Sequence, residues 1–327
     1  MGAWRIVIRA TGGPEVLERE DFDPGAPGPG QALVRTTAIG LNFIDTYYRS
    51  GLYQTRLPAG LGNEFAGVVE AVGSGVTGVK PGQRVTTTAA TIANGAYATH
   101  VMIDASRLLH VPDNVSDEVV AASTLKGLTT WMLLEPCAKV KPGQSVLILA
   151  AAGGVGSFLV PWAKSLGVTV IAHAGSEAKA ERAKRAGADH ALSCPFDDLA
   201  QQARDLTGGR GVDVVFDGIG AASWTASLDS LAKRGLMVTY GNASGPVPPF
   251  APLELSRRGS LFVTRPTLFN YIETPEELAE GARRLFQAIA DETITVEIGQ
   301  RYKLADVAEA HRALEARLTV GSTVLFP

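Results

Sequence analysis

The chain has 327 residues, 46% of them hydrophobic and 19% charged, and this composition excludes a disordered chain. Its 30 Lys and Arg against 33 Asp and Glu give a net charge of −3, which argues against a nucleic-acid-binding protein because such proteins cluster cations. Only two cysteines occur, Cys137 and Cys194, and no apolar signal region opens the chain. We therefore expect a cytoplasmic protein without a disulfide framework.

The first 110 residues predict a β-rich domain of short strands broken by glycine and proline. The candidate strands are Trp4–Arg9, Ala32–Ala38, Glu64–Val72 and Arg84–Thr88. Asp23–Gly30 (DPGAPGPG) is predicted to be a loop. The pentapeptide VKPGQ occurs at 79–83 and at 140–144, and its proline and glycine favour a type II turn in both places.

From Ser116 onward the pattern changes to alternating helices and strands. A long helix is predicted from Ser116 to about Leu134. The elements that follow are Ser145–Ala150, Gly156–Leu166, Val168–Ala174, Glu177–Ala186, His190–Ser193, Asp213–Asp217, Leu236–Tyr240 and Ser260–Thr264. Such alternation predicts βαβ units around a parallel sheet that is covered on both faces. The uncharged stretch Gly143–Ala163 is therefore read as strand, glycine turn and helix, and not as a membrane span.

The tail of the chain returns to mixed elements. From Thr274 it predicts an amphipathic helix, a short strand at Ile294–Ile298, a helix at Ala305–Arg317 and a final strand at Thr323–Phe326. β-rich sequence thus flanks the parallel core on both sides. We expect an α/β protein with an outer domain built from both chain ends.

The strongest chemical signal is SVLILAAAGGVGS at 145–157, an apolar strand that runs into a glycine turn and a helix. Aligned on G-x-G-x-x-G, the three key positions are Ala151, Gly153 and Gly156. Gly153 lets a pyrophosphate approach the backbone, Gly156 allows close helix–strand packing, and the helix N-terminus supplies amide donors. The pattern predicts a dinucleotide site, with a purely structural tight turn as the alternative.

The end of the second strand distinguishes NADP from NAD. An NAD site usually has Asp or Glu there to hold the ribose hydroxyls, but the chain reads HAGS at 173–176. Ser176 is the expected N-cap of the next helix, and Lys179 follows within a turn. A 2′-phosphate met by Lys179 explains both the missing acid and the nearby cation, so the sequence favours NADP. The alternative is an ordinary exposed helix with ion pairs along its surface.

Metal binding is tested by counting ligands. A catalytic zinc needs about three Cys, His or carboxylate ligands, and a structural zinc about four. The five histidines, at positions 100, 110, 173, 190 and 311, show no ligand spacing, and the sequence has no cysteine cluster. We therefore expect a protein without zinc.

Several short motifs are distributed along the chain. They are GLNFIDTYYRSGLY (40–53), GNEFAGVVEAVGSGV (62–76), LKGLT (125–129), the glycine turn and GLMVTYGNASG (235–245). With these motifs the chain resembles the NADPH:quinone oxidoreductase family, the zinc-free, zeta-crystallin-like branch of the medium-chain dehydrogenase/reductase superfamily. Zinc-bearing relatives have Cys and His where this chain has Asn42 and Asn63. The resemblance implies a GroES-like catalytic domain at 1–124 and 267–327, a Rossmann NADP-binding domain at 125–266, and a cleft between them.

The resemblance also implies the site residues. Asn42 and Tyr47 are expected to be catalytic and to face the nicotinamide and the acceptor, with Asn42 also binding the cofactor. The other cofactor-binding positions it implies are Lys126, Thr129, Gly153, Gly154, Val155, Gly175, Ser176, Lys179, Cys194, Gly218, Tyr240, Gly241, Thr267 and Arg317. Cys194 and Gly218 depart from the family pattern, because relatives often present tyrosine and serine at these two places.

Three of these residues have a simpler structural interpretation. Asn42 followed by Asp45 is also the pattern of a helix N-cap with an acid at the third helical position. Tyr47 is alternatively a core aromatic that keeps a polar tip. Lys126, the only charge between Val119 and Leu134, is alternatively a side chain that extends to water.

The implied reaction is hydride transfer from NADPH to a quinone in the cleft, without zinc or a covalent intermediate. A zinc-free enone or alkenal reductase and a non-catalytic NADPH-binding protein stay open as alternatives, and the sequence does not identify the acceptor. The apolar strand Ser260–Thr264 is expected at an open edge of the Rossmann sheet, which predicts a homodimer. Neither a nucleic acid nor a membrane is expected as a partner.

Overall fold

The computed structural model describes residues 2–90 and 95–327, and the chain divides into two compact units. Unit 1 comprises Met1–Lys126, Thr274–Phe286 and Val296–Pro327, and is therefore built from both chain ends. Unit 2 comprises Gly127–Glu273 and Gln287–Thr295.

Strands and helices are numbered in chain order. The strands are β1 (Trp4–Ile8), β2 (Glu18–Asp21), β3 (Gln31–Leu41), β4 (Ala59–Gly60), β5 (Glu64–Val72), β6 (Arg84–Thr87), β7 (His100–Asp104), β8 (Leu109–His110), β9 (Ser145–Leu149), β10 (Thr169–His173), β11 (His190–Leu192), β12 (Val212–Asp217), β13 (Leu231–Thr239), β14 (Phe262–Thr264), β15 (Ile298–Lys303) and β16 (Ser322–Phe326). The helices are α1 (Phe43–Ser50), α2 (Asp117–Met132), α3 (Gly156–Ser165), α4 (Glu177–Arg185), α5 (Phe196–Asp205), α6 (Trp224–Ser230), α7 (Leu253–Arg257), α8 (Pro275–Ala290) and α9 (Val307–Glu315).

Unit 1 is organised around a seven-stranded sheet with the order β15-β16-β3-β5-β6-β8, in which β7 also pairs with β3. Its pairs are antiparallel except for β15 with β16. A second sheet has the order β2-β1-β4. Ile39, Phe65 and Tyr97 are among the large side chains fully buried in the core of this unit. The predicted strands of the first 110 residues are confirmed as β1, β3, β5 and β6.

Unit 2 is a six-stranded sheet with the order β11-β10-β9-β12-β13-β14, and every pair in it is parallel. Counted from β9, this is the strand order 3-2-1-4-5-6 of a doubly wound Rossmann sheet. Its order reverses between β9 and β12, where such sheets bind ligands at the carboxyl ends of their strands. The α/β prediction, with a Rossmann core and a β-rich unit from both termini, is confirmed.

The two VKPGQ segments form the same turn. Gly82 and Gly143 have φ values of +86° and +84°, which suit glycine at the third position of a type II turn. Each turn is closed by a backbone bond, with the N–H of Gln83 donating to the carbonyl of Lys80 and that of Gln144 to Lys141. The predicted turn chemistry is confirmed at both places.

One predicted strand is wrong. The segment Ile294–Ile298 is not a strand, because β15 begins only at Ile298 and continues to Lys303 beside β16. Ile294 is instead buried, and its N–H donates to the carbonyl of Ala288 at the end of α8. The backbone at Ile294 therefore bonds back to the end of α8, which explains a buried apolar residue without a strand.

The stretch Gly143–Ala163 divides as predicted into β9, a turn and α3. The helix predicted to Leu134 ends as α2 at Met132 and continues as a π-helical turn over Leu133–Cys137, which contains Pro136. No helix in the described ranges is both long enough and apolar enough to cross a bilayer.

Candidate active site

The glycine turn of unit 2 connects β9 to α3. A Cβ at Gly156 would lie 2.3 Å from the carbonyl oxygen of Ala150, so only glycine permits this close packing, as predicted. The N–H of Gly153 already donates to Ala150, at 2.8 Å. The N–H groups of Gly154 and Val155 have no hydrogen-bond partner among the described residues. Open donors at a helix N-terminus suit a pyrophosphate.

The helix after β10 begins at a polar, open corner. Ser176 is the N-cap of α4, and its Oγ accepts the N–H of Lys179 at 3.4 Å, so the predicted N-cap is confirmed. Gly175 is exposed, and a Cβ there would meet no atom within 4 Å. Lys179 forms no ion pair within the described part of the chain. A helix N-terminus beside an uncompensated cation is suited to a phosphate group.

His173, at the end of β10, lies beside Cys194. The imidazole is 3% exposed, and its Nε2–H donates to the carbonyl of Cys194 at 2.8 Å. Burial lowers the pKa of His173, which favours the neutral ring. Its Nδ1 has no partner among the described residues, and the ring lies 5.3 Å from that of Phe196. The predicted cofactor position Cys194 thus lies beside an aromatic pair and an unused acceptor.

The ends of β12 and β13 bring Gly218, Tyr240 and Gly241 together. A Cβ at Gly218 would lie 3.0 Å from the Tyr240 hydroxyl, and a Cβ at Gly241 only 2.1 Å from the Gly218 carbonyl oxygen. Gly241 therefore needs glycine for steric reasons, whereas a side chain at Gly218 would only have to displace the Tyr240 ring slightly. Buried Asp217 fixes the loop, because its carboxylate accepts hydrogen bonds from Ile219, Gly220, Ser223 and Ser227. Sequence reasoning did not single out Asp217.

Two predicted positions of unit 2 stand apart from these groups. Thr129 is half-buried on α2, and Thr267 is exposed just before a 3₁₀ turn at Leu268–Tyr271. Within the described residues, no hydrogen bond joins either of them to the glycine turn.

In unit 1, Asn42 is the N-cap of α1. The carboxylate of Asp45, at the third helical position, accepts the Asn42 N–H at 2.9 Å, which confirms the capping interpretation. The Asn42 side chain has a second role, because its Nδ2 donates to Oε1 of Glu64 at 2.7 Å. Its amide is therefore held with the nitrogen toward Glu64.

Glu64 is fully buried and holds two further groups. Its Oε2 accepts the N–H of Leu125 at 2.6 Å, and its Oε1 lies 3.5 Å from Nζ of Lys126. Lys126 is only 5% exposed, so the interpretation in which it extends to water is wrong. Sequence reasoning missed Glu64, although a lone cation in an apolar helix needs a buried counter-ion.

Asp45 is the centre of a second buried group. Besides the Asn42 N–H, it accepts hydrogen bonds from Asn63 Nδ2 at 2.6 Å and from the Tyr97 hydroxyl at 2.9 Å. Burial raises the pKa of Asp45 to about 6, although the three hydrogen bonds favour its charged form. Asn42 and Asn63 thus each donate to a buried carboxylate.

Behind Tyr97 the network reaches α9. The Tyr97 hydroxyl lies 3.0 Å from Nε2 of His311, and Nη1 of Arg49 lies 3.1 Å from its Nδ1. Arg49 also pairs with the Glu315 carboxylate through both terminal nitrogens. Burial, assisted by the Arg49 charge, lowers the pKa of His311 to about 3 and keeps the ring neutral.

Tyr47 belongs to an aromatic cluster on and beside α1. Its ring is half-buried and lies 5.2 Å from that of Tyr53 and 5.9 Å from that of Phe43. The remaining predicted position of unit 1 is Arg317, which is exposed just after α9 at a φ of +58°.

The described residues contain no group of three or more His, Cys, Asp or Glu side chains placed to hold a metal ion. The absence of zinc remains a prediction for metal analysis.

Known proteins resemble this chain over its full length. A quinone oxidoreductase of Pseudomonas aeruginosa is 49% identical over 326 residues, which cover 99% of this chain and 100% of that protein. A 2-haloacrylate reductase of a Burkholderia species is 43% identical and covers 98% of both chains. The structure of Escherichia coli quinone oxidoreductase complexed with NADPH is 45% identical, with a TM-score of 0.96, and covers 99% of this chain and 100% of that one.

Two family models agree with the architecture. The alcohol dehydrogenase GroES-like domain matches residues 28–113, and the zinc-binding dehydrogenase model matches residues 154–285. Together with the parallel sheet and its glycine turn, they define a medium-chain dehydrogenase/reductase. Within that class, the full-length sequence identities show which family the chain belongs to. The chain belongs to the quinone oxidoreductase family, and the resemblance noted in its sequence is confirmed.

Proposed function

We propose that this protein is an NADPH-dependent quinone oxidoreductase. The observation that carries the proposal is full-length identity of 45–49% to quinone oxidoreductases, one of which was solved with NADPH. Bound NADPH supplies the hydride, and a proton from solvent completes the conversion of a quinone to a hydroquinone, leaving NADP⁺.

The contacts of unit 2 support NADPH as the cofactor. The unused N–H groups of Gly154 and Val155, with Gly153 beside them, bind the pyrophosphate. Lys179 and Ser176, beside the open Gly175, bind the 2′-phosphate. The further cofactor positions in this proposal are Thr129, Cys194, Gly218, Tyr240, Gly241, Thr267 and Arg317.

Unit 1 provides the residues proposed for the reacting end. Asn42 orients the nicotinamide carboxamide or the acceptor oxygen, since Glu64 fixes the direction of its amide. Tyr47 donates a hydrogen bond to the acceptor oxygen as negative charge develops there. Lys126 reaches the cofactor with a charge that Glu64 balances. The chain's own contribution is positioning, which suits an acceptor as reactive as a quinone.

A second candidate is reduction of an activated alkene. It is favoured by the 43% identity to a 2-haloacrylate reductase over 98% of both chains. Both reactions deliver a hydride to an electron-poor centre, so the same cofactor site serves either.

The test is NADPH oxidation measured with a panel of small quinones, alkenals and 2-chloroacrylate, beside simple alcohols with NADP⁺. We expect robust turnover of quinones. Efficient reduction of the alkenes alone would establish the second candidate, and alcohol oxidation without quinone turnover would refute both. NADPH binding without any turnover would support a non-catalytic binding protein.

We also propose a homodimer in the cytoplasm. The outer edge of β14 pairs with no strand in the described ranges, and Phe262 on this strand is 61% exposed. An open apolar edge favours pairing with a second copy. The two free cysteines support a reducing compartment.

A further inference from the structure

A chain of hydrogen bonds crosses unit 1, and its interior members are not among the residues proposed above for cofactor or acceptor. Asp45 and Arg49 lie on α1, Tyr97 precedes β7, and His311 and Glu315 lie on α9. All except Glu315 are at most 2% exposed. Burying this many polar groups is costly unless every one is paired. The loss of any member of this hydrogen-bond network should therefore weaken the others.

The hydrogen bonds of this network all run in one direction. Arg49 can only donate, so Nδ1 of His311 accepts and its Nε2–H donates to the Tyr97 oxygen. The Tyr97 hydroxyl then donates to Oδ2 of Asp45. The guanidinium of Arg49 does not release its proton, so this hydrogen-bond network does not carry protons from the surface.

We propose that Asp45 is a positioning residue for Asn42 and Asn63, and that Tyr97 and His311 hold it in that role. The proposal rests on the function proposed above. Asp45 joins the start of α1, through the Asn42 N–H, to the residue before β5, through the Asn63 amide. All three of its partners donate, so the carboxylate is the form that fits its surroundings. A protonated Asp45 would place a hydrogen on one of its oxygens and loosen the asparagine held there, Asn42 at Oδ2 or Asn63 at Oδ1.

Several charged and titratable groups surround Asp45. Those among the described residues that face it or stand behind its partners are Tyr48, Glu64 with Lys126, Tyr97, His311 and Arg49. Glu64 raises the pKa of Asp45, and the Tyr97 hydrogen bond lowers it. Removing the Tyr97 hydroxyl therefore shifts the protonation of Asp45 to higher pH.

The test is Tyr97→Phe, compared with Tyr302→Phe, which makes the same change at a partly buried tyrosine packed against the same core. For quinone reduction, we expect the acid limb of kcat/KM to move up by about one pH unit in Tyr97→Phe, as loss of a hydrogen bond to a charged group implies. The plateau value of kcat/KM above this limb should fall about tenfold, because the asparagines are less well aligned. The dissociation constant of NADPH, followed by its fluorescence, should change less than twofold, and Tyr302→Phe should match the wild type.

An unmoved acid limb in a folded Tyr97→Phe protein, or equal effects of both variants, would overturn the proposal. A second measurement needs no quinone and therefore tests the positioning proposal separately from the proposed function. It is the difference in unfolding free energy between the wild type and Asp45→Asn, measured in urea from pH 4 to 8. The pH at which this difference changes should rise when Tyr97→Phe is introduced into both proteins. If it rises but no quinone is reduced, the function fails and the Tyr97–Asp45 coupling stands. If it does not rise, the positioning proposal fails.

Discussion

Lys126 and Glu64 form an ion pair whose nitrogen and oxygen lie 3.5 Å apart, with 6% of one side chain exposed and none of the other. The carboxylate is also held by the Leu125 N–H and the Asn42 amide. A buried pair with this many hydrogen bonds fixes geometry at some cost in stability, because both charges have left water. Its two members should therefore be strongly coupled.

Breaking this pair from one side should destabilise the protein. Glu64→Gln leaves the Lys126 ammonium buried without a counter-ion, at a cost of about 3–5 kcal/mol in the free energy of unfolding. The double variant Glu64→Gln/Lys126→Met removes both charges and should recover part of that loss. Urea unfolding of the four proteins of this cycle measures the coupling. Additive effects would show that the pair does not interact.

Lys179 should select NADPH over NADH. Lys179→Ala removes one charge-assisted contact to the 2′-phosphate, worth about 1.5–3 kcal/mol, or roughly ten- to a hundredfold in affinity. NADH binding should stay nearly unchanged. Arg185→Ala, an exposed cation at the other end of α4, is the matched control. Equal losses for both nucleotides in Lys179→Ala would assign the 2′-phosphate to other residues.

His311 should make stability depend on pH. Its folded pKa of about 3 lies below the ordinary value of 6.5, so the unfolded chain takes up a proton that the folded protein excludes. The contribution of the neutral ring is complete above pH 6.5 and is lost as the pH falls toward 3. Asp45, whose pKa is raised to about 6, acts in the opposite direction between about pH 6 and 3.8.

The two effects are separated by removing one group. From pH 7 to pH 4, the stability of the wild type relative to His311→Gln should fall by about 3 kcal/mol. Urea unfolding at each pH measures the difference, with exposed His110→Gln as the control. A flat difference for His311→Gln would mean that the buried ring is not kept neutral by the fold.

The purified protein should contain well under one equivalent of zinc. The resemblance noted in the sequence implies asparagines, Asn42 and Asn63, at two zinc-ligand positions, and both amides donate to buried carboxylates. Elemental analysis and activity after treatment with a chelator are the measurements. A stoichiometric metal that is lost together with activity would contradict the expectation.

The dimer should depend on β14. Phe262→Lys places a charge on its exposed face and should shift light-scattering mass toward the monomer at micromolar concentration. Leu206→Lys changes a similarly apolar exposed residue away from that edge and should leave the mass unchanged. A monomeric wild type would refute the dimer.

Local signals predicted the fold well. β9 and the turn after it were readable because an apolar run, glycines and a helix start are adjacent in sequence, and Gly156 was identified for the correct packing reason. α5 and α6 were missed. α6 has only seven residues, and two of its serines bond to Asp217 and Ala226 rather than marking a helix end.

The buried networks were not predictable in the same way. The Tyr97–His311 contact joins residues 214 positions apart, and Glu64 meets Lys126 across 62. Nothing in the sequence near either residue records such a partner, because the pairing follows from how strands and helices pack. Asn42 shows both cases. The residues next to it predict its role as N-cap, but nothing near it in the sequence predicts its hydrogen bond to Glu64.

The bond between Arg49 and His311 spans 262 residues, and this has a consequence for synthesis. Most of unit 2 is one continuous segment, so it can fold once that segment has left the ribosome. Unit 1 must wait for residues 307–326, which supply α9 and β16. Loss of the last twenty residues should therefore leave a folded nucleotide-binding unit attached to an unfinished N-terminal half.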